Sequence, residues 1–242
     1  MIDAASYGAS ALLLSRARSQ SGASAAPERF LADLRAGFDE FRARTWVWTT
    51  IAVLSVVNAV TVAFPVLGAL IAKRELGGAG AWALILTGQG VGSLLAGTTL
   101  LRLKPRRPLL VATLVGLFGA LPVLLLAVPA PLALIAVAAL MAGIGGMAFN
   151  TLWETTLQQH IPTGARSRVS SYDWFGSLAL QSLGYALIGP LAAAVGVSTA
   201  LYLSGGVEVV AVGSLLAIKD VRTLKQLPDS PKQHHDTSPL SR

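Results

Sequence analysis

Six runs of about twenty predominantly apolar residues fill the last two-thirds of this 242-residue chain. A helix rises about 1.5 Å per residue, so each run is long enough to cross roughly 30 Å of hydrocarbon. We predict six transmembrane helices, named span one to span six, at about 46–70, 81–101, 109–128, 132–153, 173–195 and 198–218. The predicted fold class is therefore all-α membrane, a six-helix transmembrane bundle.

Composition supports this prediction and excludes several other classes of protein. Charged residues are 13% of the chain, about half the share of a soluble domain. The net charge of +7 does not indicate nucleic-acid binding, because the basic residues sit at the ends of the apolar runs. The chain has no cysteine, and its three histidines, His160, His234 and His235, lack partners at ligand spacing. We expect no enzyme activity, no metal and no cofactor.

The basic residues also predict an orientation. All but Lys73 and Arg74 of the 19 basic residues fall on one side of the six predicted spans. Short loops rich in Lys and Arg stay in the cytoplasm. We expect a multi-pass protein of the cell (inner or plasma) membrane, with its linker and C-terminus cytoplasmic.

The segments outside the spans predict a division into 1–15, 16–44, 45–218 and 219–242. Residues 4–14 are apolar but too short to span a membrane. An acidic residue precedes this run and basic residues follow it, whereas a signal peptide has its basic residues before the apolar run. We interpret 1–15 as the stump of a preceding transmembrane helix. Residues 16–44 form a cytoplasmic linker, and its spacing of Phe30, Leu34, Phe38 and Phe41 predicts an amphipathic helix. The polar, proline-containing residues 219–242 predict a disordered tail.

Two stretches resemble loops of a known family. Residues 97–108 read GTTLLRLKPRRP, and the region 149–174 contains FNTLWETTLQQHIP followed by RSRVSSYDW. Both stretches resemble loops of the major facilitator superfamily. Within that superfamily, they resemble the bacterial drug- and siderophore-exporter-like branch. The first is similar to a degenerate copy of that superfamily's basic loop, with Leu101 where an acidic residue is usual. The second is similar to the loop between the tenth and eleventh family helices.

The resemblance implies an architecture and a function. It places the six spans as family helices seven to twelve, so that the chain is the C-terminal half of a twelve-helix fold. Such a half, truncated and inactive alone, would need a separate N-terminal half or a second copy of itself. The implied activity is efflux of a small molecule across the lipid bilayer by alternating access. The alternative is a non-transporting membrane scaffold or accessory protein derived from a transporter half.

Polar residues within the spans are the candidates for a substrate cavity. Their spacing of four residues places them in stripes, as in Asp173, Ser177, Gln181 and Tyr185. The resemblance implies that the striped spans one, two, four and five face the central cavity. The candidates are Asn58, Gln89, Asn150, Gln181 and Tyr185. Small and weakly polar residues also allow helices to pack closely. Helix packing is the interpretation we favour for Gly143, Gly145, Gly146 and Ser177.

A second group of candidates lies near the cytoplasmic ends of the spans. These residues could form a charge latch, a set of ion pairs that stabilises one transport state. The candidates are Arg102, Arg106, Glu154, Arg166, Arg168 and Asp173. Proton coupling by Glu154 or Asp173 is the alternative. Glu208 is separate, because it falls in the middle of span six, a helix that the resemblance places at the periphery.

Overall fold

The computed structural model describes residues 44–226, except for the side chains of residues 163–165, 167, 168 and 172. These residues belong to one compact unit, Gly37–Arg242. The predicted helix stump at 1–15, the amphipathic linker helix and the tail beyond residue 226 lie outside the described residues.

Six helical segments are long and apolar enough to cross a membrane, which confirms the prediction of six spans. They are Thr45–Glu75, Ala79–Leu100, Pro108–Leu126, Leu132–His160, Val169–Val195 and Val197–Ala217. They alternate in direction, so their ends form two faces. The basic face carries the loop 101–107, and the opposite face carries Lys73 and Arg74. No strand occurs within 44–226.

Proline interrupts two of the spans near their middles. Span one consists of helices Thr45–Thr61 and Ala63–Glu75, separated at Val62, and Pro65 lies just beyond the break. Span three consists of helices Pro108–Gly116 and Ala120–Leu126, joined by a 3₁₀ turn at Leu117–Gly119 that precedes Pro122. Proline has no N–H to donate and its ring crowds the carbonyl four residues earlier, so both breaks fall where that constraint acts.

Spans four and five are longer than the sequence predicted. The fourth helix runs from Leu132 to His160 and the fifth from Thr163 to Val195, so only two residues separate them. Most of the loop expected from the 149–174 region is therefore helical. The residues after Trp153 contain no Gly or Pro until Pro162, and the helix continues through them beyond the hydrocarbon thickness.

The other connections are short, as predicted. Residues 127–131 join spans three and four, and Gly196 alone separates the helices of spans five and six. Gly196 has φ 87 and ψ 153, a conformation essentially confined to glycine. At the predicted start of the disordered tail the structure instead has a short helix, Lys219–Thr223. Val221 is buried there, because it packs against an apolar cluster of the bundle.

Glycines allow a close helix contact between spans two and four. A Cβ on Gly92 would overlap the carbonyl oxygen of Leu140, and one on Gly143 would overlap that of Gln89. Ser93 Oγ also donates a hydrogen bond to the Gly143 carbonyl oxygen at 3.3 Å. Small residues allow membrane helices to approach closely in this way. Gly143 is therefore a packing residue, as the sequence favoured.

The buried apolar residues form two clusters at opposite ends of the bundle. The cluster toward the basic face includes Trp46, Leu109 and Trp153, with the Trp46 and Trp153 rings in edge contact at 5.9 Å. The other includes Phe64 and Leu201, with Trp82 packed against Phe64 at 5.2 Å. Both clusters contribute residues to the walls of one cavity.

Candidate functional site

A cavity of about 620 Å³ lies within the bundle and is walled by all six spans. Most of its walls are apolar, and a few polar side chains project into it. The broken segments of spans one and three supply part of the lining, through Thr61, Val62 and Pro65 and through Gly116, Gly119 and Pro122. Each proline break therefore shapes the wall of this cavity.

All five of the residues predicted to line a substrate cavity do line this one. Asn58 comes from span one, Gln89 from span two, Asn150 from span four, and Gln181 and Tyr185 from span five. Asn150 and Tyr185 are exposed, and the other three are half-buried. The structure brings these side chains together, while their contact with a substrate stays a prediction.

The polar stripes follow the cavity wall to different extents. Asp173, Ser177, Gln181 and Tyr185 all line it, which is the full stripe predicted on span five. On span four, the stripe leaves the cavity after Glu154, because Gln158 lies beyond it and is exposed. Of the polar stripe on span two, Gln89 lines the cavity, whereas Ser93 is turned toward span four.

Sequence reasoning missed the contributions of spans three and six. Gly116, Gly119 and Pro122 carry no polar side chain, so a search for polar stripes cannot find them. The proline of span three was the available signal, since prolines break helices where a site can form. Aromatic walls were also missed: Phe149, Trp153 and Trp174 line the cavity among apolar neighbours.

The residues of the predicted charge latch occupy two separate environments. Glu154 and Asp173 line the cavity, and Trp153 Nε1 donates a hydrogen bond to Asp173 Oδ2 at 2.9 Å. Arg166 Nε instead donates to the carbonyl oxygen of Ile161 at 2.9 Å. Arg102 and Arg106 are exposed in the loop on the basic face. The side chain of Arg168 lies outside the described part, and the latch stays a prediction.

Glu208 is the most enclosed charged residue of the cavity wall. It is 4% exposed, and its Oε2 atom has no hydrogen-bond partner in the described part of the chain. The sequence placed Glu208 at mid-span but gave no reason for a carboxylate there. In the structure, Glu208 is part of the cavity wall, which the sequence could not show.

The cavity lining contains acidic side chains and no basic ones among the described residues. Glu154, Asp173 and Glu208 line it, and no Lys, Arg or His does among the lining residues, all of which lie in the described part. Within residues 44–226 there is also no cluster of His, Cys, Asp and Glu suited to a metal ion. The arrangement can enclose a small molecule, with polar and acidic groups at fixed places on an apolar wall.

Comparison with known proteins places this architecture in a family. Residues 2–179 match the model of the family described as the Major Facilitator Superfamily. No curated protein and no solved structure matches the chain. The family match covers most of the chain and agrees with six membrane-spanning helices around a cavity. The chain belongs to the major facilitator superfamily, a family of secondary transporters.

Proposed function

We propose that this chain moves a small amphiphilic molecule across a membrane, as one half of a secondary transporter that works by alternating access. The observation that carries the proposal is the cavity in which Asn58, Gln89, Asn150, Gln181 and Tyr185 meet. Its volume of about 620 Å³ falls within the range of small-molecule sites, roughly 300–1,000 Å³. Mostly apolar walls with a few polar groups suit an amphiphilic substrate.

The exposure of span five supports the need for a second bundle. Tyr185 is 51% exposed and Trp174 is 65% exposed, yet both line the cavity. A polar hydroxyl at membrane depth is costly unless protein or water covers it. We therefore propose that a second six-helix bundle, from an N-terminal half or from another copy of this chain, closes the cavity.

The broken helices support a rocking mechanism. In many transporters, interrupted helices line the substrate site, and one bundle rocks against the other around that site. Val62 and Leu117–Gly119 are such breaks, and both lie at the cavity wall. In the proposed cycle, this six-span bundle rocks against the second bundle, and the cavity opens to alternate faces.

Orientation and direction complete the proposal. We place the basic face in the cytoplasm of a cell membrane, because Lys and Arg concentrate there. We propose export as the direction, on the resemblance of the 149–174 region to exporter sequences, and an ion gradient as the driving force.

Vesicle transport tests the proposal. The chain is expressed with or without a six-helix N-terminal half, and uptake of a panel of amphiphilic dyes into inside-out vesicles is followed after energisation. We expect uptake that collapses with an ionophore, that falls strongly in Gln181→Leu, and that persists in Leu183→Ala. Leu183 is the matched control, because it is exposed on the same helix but does not line the cavity.

The outcome also separates the alternative function. Uptake only with the added half would support the two-bundle arrangement, and uptake by the chain alone would support assembly of two copies. No energised uptake under any of these conditions would overturn the proposal and favour a membrane scaffold.

A further inference from the structure

No hydrogen-bond partner among residues 44–226 explains the position of Glu208. It lies near the middle of span six, is 4% exposed, and its Oε2 atom has no hydrogen-bond partner in the described part. A charged side chain at mid-membrane costs roughly 2.5–3.5 kcal/mol on insertion scales and normally faces a partner or a path. Glu208 is one of the residues that line the cavity.

The break in span three makes room for this carboxylate. Gly119 ends the 3₁₀ turn, and a Cβ at this position would overlap Glu208 Oε1. A larger residue at position 119 would therefore displace the carboxylate. Gly119 and Pro122 both line the cavity, so the proline break and the acid belong to the same wall.

The acidic lining of the cavity points to a cation as its occupant. Glu154, Asp173 and Glu208 line it, and no basic side chain does among the lining residues of the described part. Asp173 is stabilised by the Trp153 indole at 2.9 Å, whereas Glu208 Oε2 has no such donor among the described residues. Walls of one charge around a low-dielectric space concentrate ligands of the opposite charge. An anionic substrate would meet three acidic side chains and no basic one among these lining residues.

The remaining walls favour an organic cation over a metal ion. Phe149, Trp153 and Trp174 line the cavity, and aromatic faces attract organic ammonium groups. A space of about 620 Å³ is far larger than a bare ion, and no cluster suited to a metal occurs within residues 44–226. Apolar residues fill the rest of the wall, which suits a hydrophobic body around the charge.

We propose that Glu208 binds the positively charged group of the transported molecule, and that the substrates are lipophilic organic cations. This inference rests on the proposed transport function and names the substrate class of the same cavity. Glu208 would thereby be the residue that determines specificity for charge, while the polar stripe of spans four and five contacts the rest of the molecule.

Binding of two ions of matched shape tests the inference. The full chain is placed in lipid nanodiscs, and binding of tetraphenylphosphonium, a cation, and tetraphenylborate, an anion, is measured by equilibrium dialysis against empty nanodiscs. We expect saturable binding of the cation only. Loss of a buried charge partner should weaken it by roughly tenfold or more in Glu208→Gln. Glu75→Gln is the matched control, because Glu75 is exposed at the end of span one and outside the cavity.

A second measurement keeps the test valid if Glu208→Gln fails to fold. Hydrophobic carbodiimides modify carboxyl groups in apolar surroundings, and mass spectrometry of the unaltered chain locates the label. Tetraphenylphosphonium should protect Glu208 from this modification, whereas tetraphenylborate should not.

Three results would overturn the inference: no saturable binding of the cation, equal binding of both ions, or unchanged binding in a folded Glu208→Gln. These results are distinguishable from failure of the transport proposal. A chain that binds the cation through Glu208 but moves no dye would keep the site and reject transport.

Discussion

At the scale of the residue, polar side chains within spans were visible in the sequence, but their partners were not. Asn58, Gln89 and Gln181 could be predicted as cavity residues, because such groups are costly in hydrocarbon. The hydrogen bond from Trp153 to Asp173 could not, because it depends on how spans four and five pack. The surroundings of Glu208 likewise depend on the break in span three.

Replacing Trp153 by Phe should destabilise the bundle. The substitution removes the Nε1 donor to Asp173 and leaves a carboxylate without that partner, beside an aromatic contact with Trp46. Loss of a hydrogen bond to a charged group costs about 1.5–3 kcal/mol, so the free energy of unfolding should fall by about that amount. Denaturant unfolding in detergent measures it. Trp48→Phe is the control, since Trp48 is 41% exposed, and an equal loss in both variants would contradict the account.

At the scale of the element, the number and order of the spans followed from the apolar runs, while helix ends did not. Hydropathy falls after Trp153, so the prediction ended span four there, yet the helix continues to His160. Polar residues can extend a helix beyond the hydrocarbon, because water satisfies their side chains while the backbone stays bonded. The helix breaks at Val62 and Leu117–Gly119 were also missed. Apolar residues surround both breaks, so the hydropathy does not change there.

The glycine contact between spans two and four predicts a pair of opposite results. Gly92→Ala should lower the thermal stability, because its Cβ would overlap the Leu140 carbonyl oxygen and separate the helices. Overpacking of this kind typically costs about 1–3 kcal/mol. Gly90→Ala on the same helix meets no atom within 4 Å and should be neutral or mildly stabilising. A fluorescence melt of the detergent-solubilised variants measures both, and equal melting temperatures would reject the contact.

The turn at Gly196 predicts different effects for another pair of glycine substitutions. Gly196→Ala should destabilise the chain by about 1–3 kcal/mol, because φ 87 with ψ 153 strains any residue with a Cβ. Space is not the reason, since nothing lies within 4 Å of that position. Gly189→Ala has the same open surroundings without the positive φ, so it serves as the control. If both substitutions changed the melting temperature alike, backbone strain would not explain the choice of glycine.

At the scale of the whole molecule, the sequence predicted an all-helical six-span bundle, and the structure and family match agree with it. The contribution of all six spans to one cavity could not be predicted from the sequence, which assigned only four of them to it. Spans three and six enter the wall through backbone breaks, glycines and one buried acid, none of which forms a stripe.

The orientation can be tested without background, because the chain has no cysteine. Leu103→Cys lies in the exposed loop on the basic face, and Glu75→Cys is exposed on the opposite face. In intact cells, a membrane-impermeant maleimide should label Glu75→Cys only, and inside-out vesicles should reverse the pattern. Labelling of Leu103→Cys from outside would invert the proposed topology.

The most direct test of the cavity is the water accessibility of single cysteines in the membrane-embedded chain. Cysteines replacing Asn58, Gln89, Asn150, Gln181 and Tyr185 should react with a small, water-soluble thiosulfonate, because all five line the cavity. Cysteines at Val137, Leu183 and Val210, which are exposed apolar positions outside the cavity, should react slowly or not at all. Equal reactivity of the two sets would contradict the central claim that the six spans line one shared, hydrated substrate site.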